Sequence, residues 1–196
     1  MTFKIITLGC KLNYCESAAI AEGFLADGFE SVSDGEFADV CIINSCAVTG
    51  TAVAKVRHEL SKCRRDNPDG VTVLCGCYPQ SYPEEAALNS GADIVIGNAG
   101  KGRLAETVRA FMRDRVKTVK ITPLGREFDE SSSAPDEDRT RAFIKVEDGC
   151  DRFCSYCIIP TARGRVRSLA TEKITAQAVQ CVRNGHREIV LTGINL

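Results

Sequence analysis

The sequence predicts an α/β fold: a doubly wound parallel sheet with helices on both faces, followed by the opening βαβ unit of a second, larger domain. Three observations predict it. Short apolar runs alternate with helical patterns through the first 121 residues. The runs are continuously apolar instead of alternating, as strands buried on both faces require. The composition then breaks near residue 123, before a strand, helix and strand pattern resumes. The implied organisation is an amino-terminal α/β domain over residues 1–122, an acidic linker over 123–141, and the start of a further domain over 142–196.

In chain order, FKIITLG (3–9), DVCIINSC (39–46), VTVLCGC (71–77) and DIVIGN (93–98) read as strands. YCESAAIAEGFLADG (14–28), TAVAKVRHELSKCRR (51–65), PEEAALNSG (83–91) and KGRLAETVRAFMRD (101–114) read as the helices between and after them. PLGREFDESSSAPDEDRTR (123–141) is acidic, Ser- and Pro-rich and nearly free of apolar side chains, so it reads as a linker or exposed crossing. RAFIKVEDG (141–149) and REIVLTG (187–193) are strands, and TEKITAQAVQCVRNG (171–185) is a helix closed by Gly185. Two strands can neither close a barrel nor cover both sheet edges, so this last part is expected to open a larger domain and the chain to be a fragment. No internal repeat occurs, which excludes a solenoid.

The composition, with 44% hydrophobic and 26% charged residues and a formal net charge of -1, is that of a globular protein. It excludes a wholly basic nucleic-acid coat but leaves room for a local basic face. No apolar run of about 18 residues occurs, and MTFKIITLGC has no signal-peptide pattern, so a cytoplasmic location with no membrane association is expected. The expected oligomeric state is a monomer. With 6% aromatic residues and no Trp, rows of base-stacking rings are excluded within this stretch. GNAGKG (97–102) lacks both the dinucleotide and the nucleoside-triphosphate spacing, which removes a dehydrogenase or kinase. His58 and His186 have no paired ligand or nucleophile motif beside them and read as solvated or locally bonded.

Eleven cysteines carry the chemistry. An odd number without an export signal points away from a disulfide scaffold and towards metal or catalysis. Cys150, Cys154 and Cys157 form C-x3-C-x2-C straight after a strand. Three thiolates on one loop can hold three irons of a cubane cluster and leave the fourth open to a ligand. Structural zinc would ask for a fourth protein ligand, and none follows at finger spacing. Cys10, Cys46 and Cys77 each follow an apolar strand, and in an open parallel sheet such loops gather along the ligand-binding edge. From spacing alone these three fit either a second metal site or small buried hydrophobes at strand ends. Cys41, Cys75 and Cys181 read as packing, with Cys75 a candidate substitute ligand because it stands two residues from Cys77 on the same strand face. The basic stretch Lys55, Arg57, Lys62, Arg64 and Arg65 reads as a solvated helix face; Arg163, Arg165 and Arg167 either face substrate or pair with the acidic stretch.

The C-x3-C-x2-C loop with Tyr156 before its last cysteine resembles the signature of the radical S-adenosylmethionine (SAM) superfamily. LGCKLN (8–13), NSCAVT (44–49) and GCYPQ (76–80) resemble the three cysteine motifs of the methylthiotransferase family's amino-terminal domain. With IIPTARGRVRS (158–168), the resemblance covers nearly the whole chain. It implies a radical SAM [4Fe-4S] cluster on Cys150, Cys154 and Cys157, with Tyr156 near the SAM adenine, and an auxiliary [4Fe-4S] cluster on Cys10, Cys46 and Cys77. It further implies that the second domain is a partial TIM-like barrel, and that SAM serves both as methyl donor and as radical source. NSCAVT, GCYPQ and LTGINL (191–196) most resemble the branch that converts N6-threonylcarbamoyladenosine at tRNA position 37 to its 2-methylthio derivative. The implied partners are the tRNA anticodon stem-loop and a reducing electron donor. Ser45, Leu12 and Pro79 depart from the family's usual residues, which bears on the branch more than on the clusters. The alternatives are a methylthiotransferase acting on isopentenyladenosine tRNA or on a ribosomal protein, and a non-enzymatic zinc module. The 196 residues alone are expected to turn nothing over.

Overall fold

The computed structural model describes residues 1–33, 35–130 and 141–196. Most of the expected linker, 131–140, therefore lies outside the described residues. The first half runs β1 (Thr2–Thr7), α1 (Lys11–Ala26), β2 (Glu30–Ser31), β3 (Val40–Ser45), α2 (Gly50–Asp66), β4 (Val71–Gly76), α3 (Cys77–Ser81), α4 (Pro83–Asn89) and β5 (Ile94–Ile96). A single 3-10 turn (Lys101–Arg103), α5 (Leu104–Asp114) and β6 (Thr118–Lys120) complete it. The six strands form one parallel sheet in the order β2-β1-β3-β4-β5-β6. Every residue of β3 and β4 is buried, as their unbroken apolar runs predict.

Strand alternation divides the core. Val40 and Ile42 pack with Ile20 and Phe24 of α1 and with Leu104 and Val108 of α5 on one face. Cys41 and Ile43 pack with Val56 and Leu60 of α2 and with Ala86 of α4 on the other. Helices thus cover both faces, as a doubly wound sheet requires. Thr49 caps α2: its hydroxyl accepts from the Ala52 N–H at 3.1 Å, and Val56, Leu60 and Cys63 then fall on one buried stripe. The strand order reverses beside β1, so the loops leaving β1 and β3 flank the crevice where open α/β sheets place ligands.

The second half contains β7 (Arg141–Lys145), β8 (Glu147–Asp148), α6 (Ile159–Arg163), β9 (Arg167–Ser168), α7 (Thr171–Arg183) and β10 (Glu188–Thr192). β7 and β10 pair in parallel, with Ile144 opposite Leu191, and α7 buries Cys181 against Ala142 and Ile144. This is the expected βαβ unit. β8 and β9 add a short antiparallel ribbon that brackets the C-x3-C-x2-C loop.

Two expectations are refined. Gly125, Arg126 and Glu127 are exposed, as a linker or exposed crossing implies, but the segment is tethered: Leu124 stands against Gly164, the Gly125 carbonyl accepts from Arg167 Nη1 at 3.2 Å, and the Phe128 ring lies 5.6 Å from Lys145 Nζ. Their few apolar side chains suffice to dock a segment whose composition reads as linker. Cys41 of β3 and Cys63 of α2 are joined as a disulfide, where the sequence reads Cys41 as packing alone. Both are buried on the α2 face of the sheet, 6.3 Å apart at Cα.

Gly76 ends β4 with φ +103, and a Cβ there would lie 2.6 Å from the Ser45 carbonyl oxygen. Gly76→Ala is expected to lower stability by about 2 kcal/mol, read as a shift of the urea midpoint at constant slope. Gly23, inside α1 with nothing near its missing Cβ, is the control. Gly23→Ala should raise stability by about 0.5–1 kcal/mol in the same titration.

Candidate functional site

Cys10, Cys46 and Cys77 sit at the carboxyl ends of β1, β3 and β4, three adjacent strands. Cys10 is the N-cap residue of α1, Cys46 opens the loop to α2, and Cys77 is the first residue of α3. The sheet therefore gathers all three on one edge. Gly9, with φ +130, brings its backbone to Cys46: a Cβ there would stand 3.0 Å from the Cys46 Cβ. Burial pushes the Cys46 thiol's pKa up, and the neighbouring Cys77 and Cys10 add to the rise, while the backbone N–H groups of Val48 and Ala47 oppose it.

Cys75 does not join them. The positive φ of Gly76 breaks the strand alternation, so Cys75 packs into the α1/α5 core while Cys77 packs on the opposite side. Burial drives the Cys75 thiol up to about 12. Cys15 also reaches about 12 through burial and donates to the Phe143 carbonyl of β7 at 3.6 Å. These two are packing residues.

The second triad lies on the loop between β8 and α6. Cys154 is exposed and Cys150 and Cys157 are half-buried; all three are free thiols. The loop is shaped by backbone: Cys150 N–H donates to the Gly164 carbonyl and Cys157 N–H to the Cys154 carbonyl, both at 3.0 Å. Gly149, with φ +88, lies so close to the Arg165 carbonyl that a Cβ there would stand 2.1 Å from its oxygen. Tyr156 is 90% exposed. It lines a cavity of about 450 Å³ with Cys157 and Ile158 on one side and Ala47, Val48 and Tyr82 on the other. That cavity lies between the Cys46 loop and the Cys157 loop. Among the described residues no three His, Cys, Asp or Glu side chains close together as a site for one metal ion.

Between the two triads lies a buried ionic cluster that sequence reasoning missed. Glu16 of α1 accepts from Lys101 Nζ at 2.6 Å, Lys145 Nζ at 2.9 Å and Arg163 Nη1 at 2.8 Å. Asp148 accepts from Lys145 at 2.8 Å and from Arg163 at 3.1 Å, with Arg167 at 3.4 Å. Burial alone would raise the Glu16 pKa, but Arg163, Lys101 and Lys145 outweigh it and hold the carboxyl well below the ordinary value. Burial likewise opposes the charge on Arg163, and Glu16 leads the groups that raise its pKa instead. Of the three arginines read as facing substrate or the acidic stretch, Arg163 and Arg167 are buried in this cluster; Arg165 is exposed, over the Phe153 ring.

Asn side chains tie the cluster to the cysteines. Asn13 Oδ1 accepts from Arg163 Nη2 at 3.0 Å and from Cys10 Sγ at 3.3 Å. Asn98, just past β5, donates from Nδ2 to Cys77 Sγ at 3.5 Å and to the Ala162 carbonyl at 2.6 Å. The signal for Asn98 was present in the sequence: it ends an apolar strand, as the three cysteines do.

Comparison with solved structures concerns the fold. The chain superimposes on the radical S-adenosylmethionine methyltransferase TsrM from Kitasatospora setae, solved with tryptophan substrate and a SAM analog, at a TM-score of 0.64 and 14% identity. The match covers 98% of this chain and 47% of that one, and shows a shared fold. A second TsrM structure, with cobalamin and a [4Fe-4S] cluster bound, matches at 0.63.

Sequence comparison is more specific. Residues 2–97 match the family described as "Uncharacterized protein family UPF0004". The chain is 40% identical over 196 residues to the threonylcarbamoyladenosine tRNA methylthiotransferase MtaB of Bacillus subtilis, covering 99% of this chain and 44% of that protein. To the MtaB of Aquifex aeolicus it is 36% identical, covering 97% and 47%. A tRNA-2-methylthio-N(6)-dimethylallyladenosine synthase from Sphingopyxis alaskensis is 30% identical, with coverage of 100% and 44%. The chain is thus similar in sequence to these methylthiotransferases over nearly its whole length, and spans less than half the length of these relatives.

Glu16→Ala is expected to cost about 3–5 kcal/mol, because it leaves buried cations without their shared carboxylate. The sign of the pH dependence follows from the lowered Glu16 pKa. Its contribution is complete above the ordinary glutamate value of 4.5 and is lost as pH falls through the folded value. Acid titrations followed by circular dichroism should show that segment in the native chain and not in Glu16→Gln.

Proposed function

We propose that the full-length protein is a radical SAM tRNA methylthiotransferase that converts N6-threonylcarbamoyladenosine at tRNA position 37 to its 2-methylthio derivative, using two [4Fe-4S] clusters and SAM. The observation that carries this reading is the conjunction in one chain of two cysteine triads, one on a strand-following loop and one at the ends of three adjacent strands. Identity of 40% to the Bacillus subtilis MtaB, against 30% to the Sphingopyxis alaskensis dimethylallyladenosine enzyme, favours the threonylcarbamoyl substrate.

The donor chemistry fits the clusters. Six of the free thiols fall into two sets of three, one on a single loop and one at the ends of three adjacent strands, and three thiolates suit a cubane with an open corner, whereas a structural zinc takes four protein ligands. In this reading Cys150, Cys154 and Cys157 hold the SAM-binding cluster, and Cys10, Cys46 and Cys77 hold the auxiliary one. Tyr156 would stand near the SAM adenine. When bound, the clusters and SAM supply the radical, the sulfur and the methyl group. The polypeptide's own contribution is positional: the buried cluster around Glu16 fixes α6 against α1, so the two triads keep one separation. A base at position 37 must leave its stack to reach such a centre. The protein works in the cytoplasm as a monomer, on the anticodon stem-loop, with an external electron donor.

Nucleoside mass spectrometry of tRNA from cells with and without the gene tests the substrate. Loss of 2-methylthio-threonylcarbamoyladenosine with accumulation of its precursor is expected; an unchanged profile would move the substrate to another RNA or to a protein. Anaerobic reconstitution of the full-length protein should give about eight iron and eight sulfide per chain, falling to about four of each when either triad is changed to Ala. Zinc without sulfide would overturn the cluster assignment.

A further inference from the structure

The orientation of one side-chain amide is fixed by its surroundings. The Ala162 carbonyl, 2.6 Å from Asn98, can only accept, so the Asn98 NH₂ must face it. The same Nδ2 then points its other hydrogen at Cys77 Sγ, 3.5 Å away. The residue is held from its backbone side as well: Asn98 N–H donates to Gln80 Oε1 at 2.9 Å, and Gln80 Nε2 donates to the Thr122 carbonyl at 3.2 Å. Gly97 before it makes the approach possible, since a Cβ there would lie 2.1 Å from Gln80 Oε1.

The other two thiols of the triad are served differently. Cys46 receives backbone N–H groups, from Val48 and Ala47. Cys10 faces an acceptor, Asn13 Oδ1, whose amide is committed elsewhere: Asn13 Nδ2 donates to the Ser45 carbonyl at 3.1 Å. Among the described residues, Asn98 is therefore the side chain that brings an N–H to a sulfur of this triad, and it reaches from the end of β5 to the helix that follows the other triad.

We propose that Asn98 is a positioning residue that donates a hydrogen bond to the Cys77 sulfur, sets the reduction potential of the auxiliary cluster, and ties that sulfur to α6. The inference rests on the two-cluster reading above. Hydrogen bonds to ligand sulfur stabilise the more negative, reduced state of an iron–sulfur cluster and so raise its potential. Substitution should make the cluster harder to reduce without removing a ligand.

The test uses the full-length protein with Cys150, Cys154 and Cys157 changed to Ala, so that only the auxiliary cluster is loaded, and follows its reduction by EPR-monitored redox titration. Asn98→Leu keeps the side chain's bulk and removes the donor. It should retain the parent's iron and sulfide and shift the one-electron reduction equilibrium about tenfold towards the oxidised cluster, which is about 59 mV. Asn98→Asp, closer in shape and adding negative charge, should shift it in the same direction. In the complementary protein lacking Cys10, Cys46 and Cys77, the cluster on the other loop should titrate as before. An iron-loaded Asn98→Leu protein with the parent's potential would overturn the inference alone. Loss of cluster or fold in both variants would overturn it too, by assigning Asn98 a structural role. A parent that binds no iron would take down the two-cluster reading itself.

Discussion

The carboxylate of Glu16 is the group on which the relation between the two halves depends. It lies on α1, 97% buried at the side chain, and meets cations from the turn after β5, from β7 and from α6. Taking even one such ion out of water costs several kcal/mol, so the arrangement survives only because each charge is answered at hydrogen-bonding distance. A buried ionic cluster is a poor source of net stability and a strict judge of geometry. Shifting α6 by a fraction of its length would take Arg163 away from both Glu16 and Asp148 in a dry interior.

That strictness explains how an open sheet edge can be held to a loop more than seventy residues further along the chain. Arg163 and Asn13 lead from the ionic cluster to Cys10, while Asn98 and Ala162 lead from α6 to Cys77. Asp148 stands two residues before Cys150, and its Oδ1 accepts from the Gly149 N–H at 2.9 Å. The cysteines left out of this arrangement are set apart by solvation: Cys15 and Cys75 are driven to about 12 by burial, and Cys41 and Cys63 are tied to each other.

The four central strands of the sheet were legible because their signal is local, whereas the two- and three-residue edge strands β2 and β6 were too short to declare themselves. A run such as VTVLCG declares a strand within six residues, and the loops that follow such strands must share an edge in any parallel sheet. The placement of Cys10, Cys46 and Cys77 at the ends of three adjacent strands was legible for the same reason. The ionic cluster was not. Glu16, Lys101, Lys145 and Arg163 look like ordinary surface charges in their own segments, and what buries them is pairing across 85 to 147 residues of chain. Arg163 and Arg167 sit in a basic stretch that reads as solvent- or substrate-facing, yet their partners come from β8 and α1. Cys75 and Cys77 share a face only if the strand continues, and a glycine at φ +103 stops it between them.

The same pairing distances set an order of events during synthesis. Glu16 and Lys101 belong to the first half and can meet as soon as the 3-10 turn has left the ribosome. Lys145 and then Arg163 emerge about 45 and 60 residues later, which at about 5–20 residues per second delays closure by roughly 3–12 s. During that interval the nascent sheet carries one ion pair on a face still open to water, where its cost is small. The dry, fully answered cluster is thus made only after the first sheet is complete, and its completion is the moment at which the cysteine loop is fastened to that sheet.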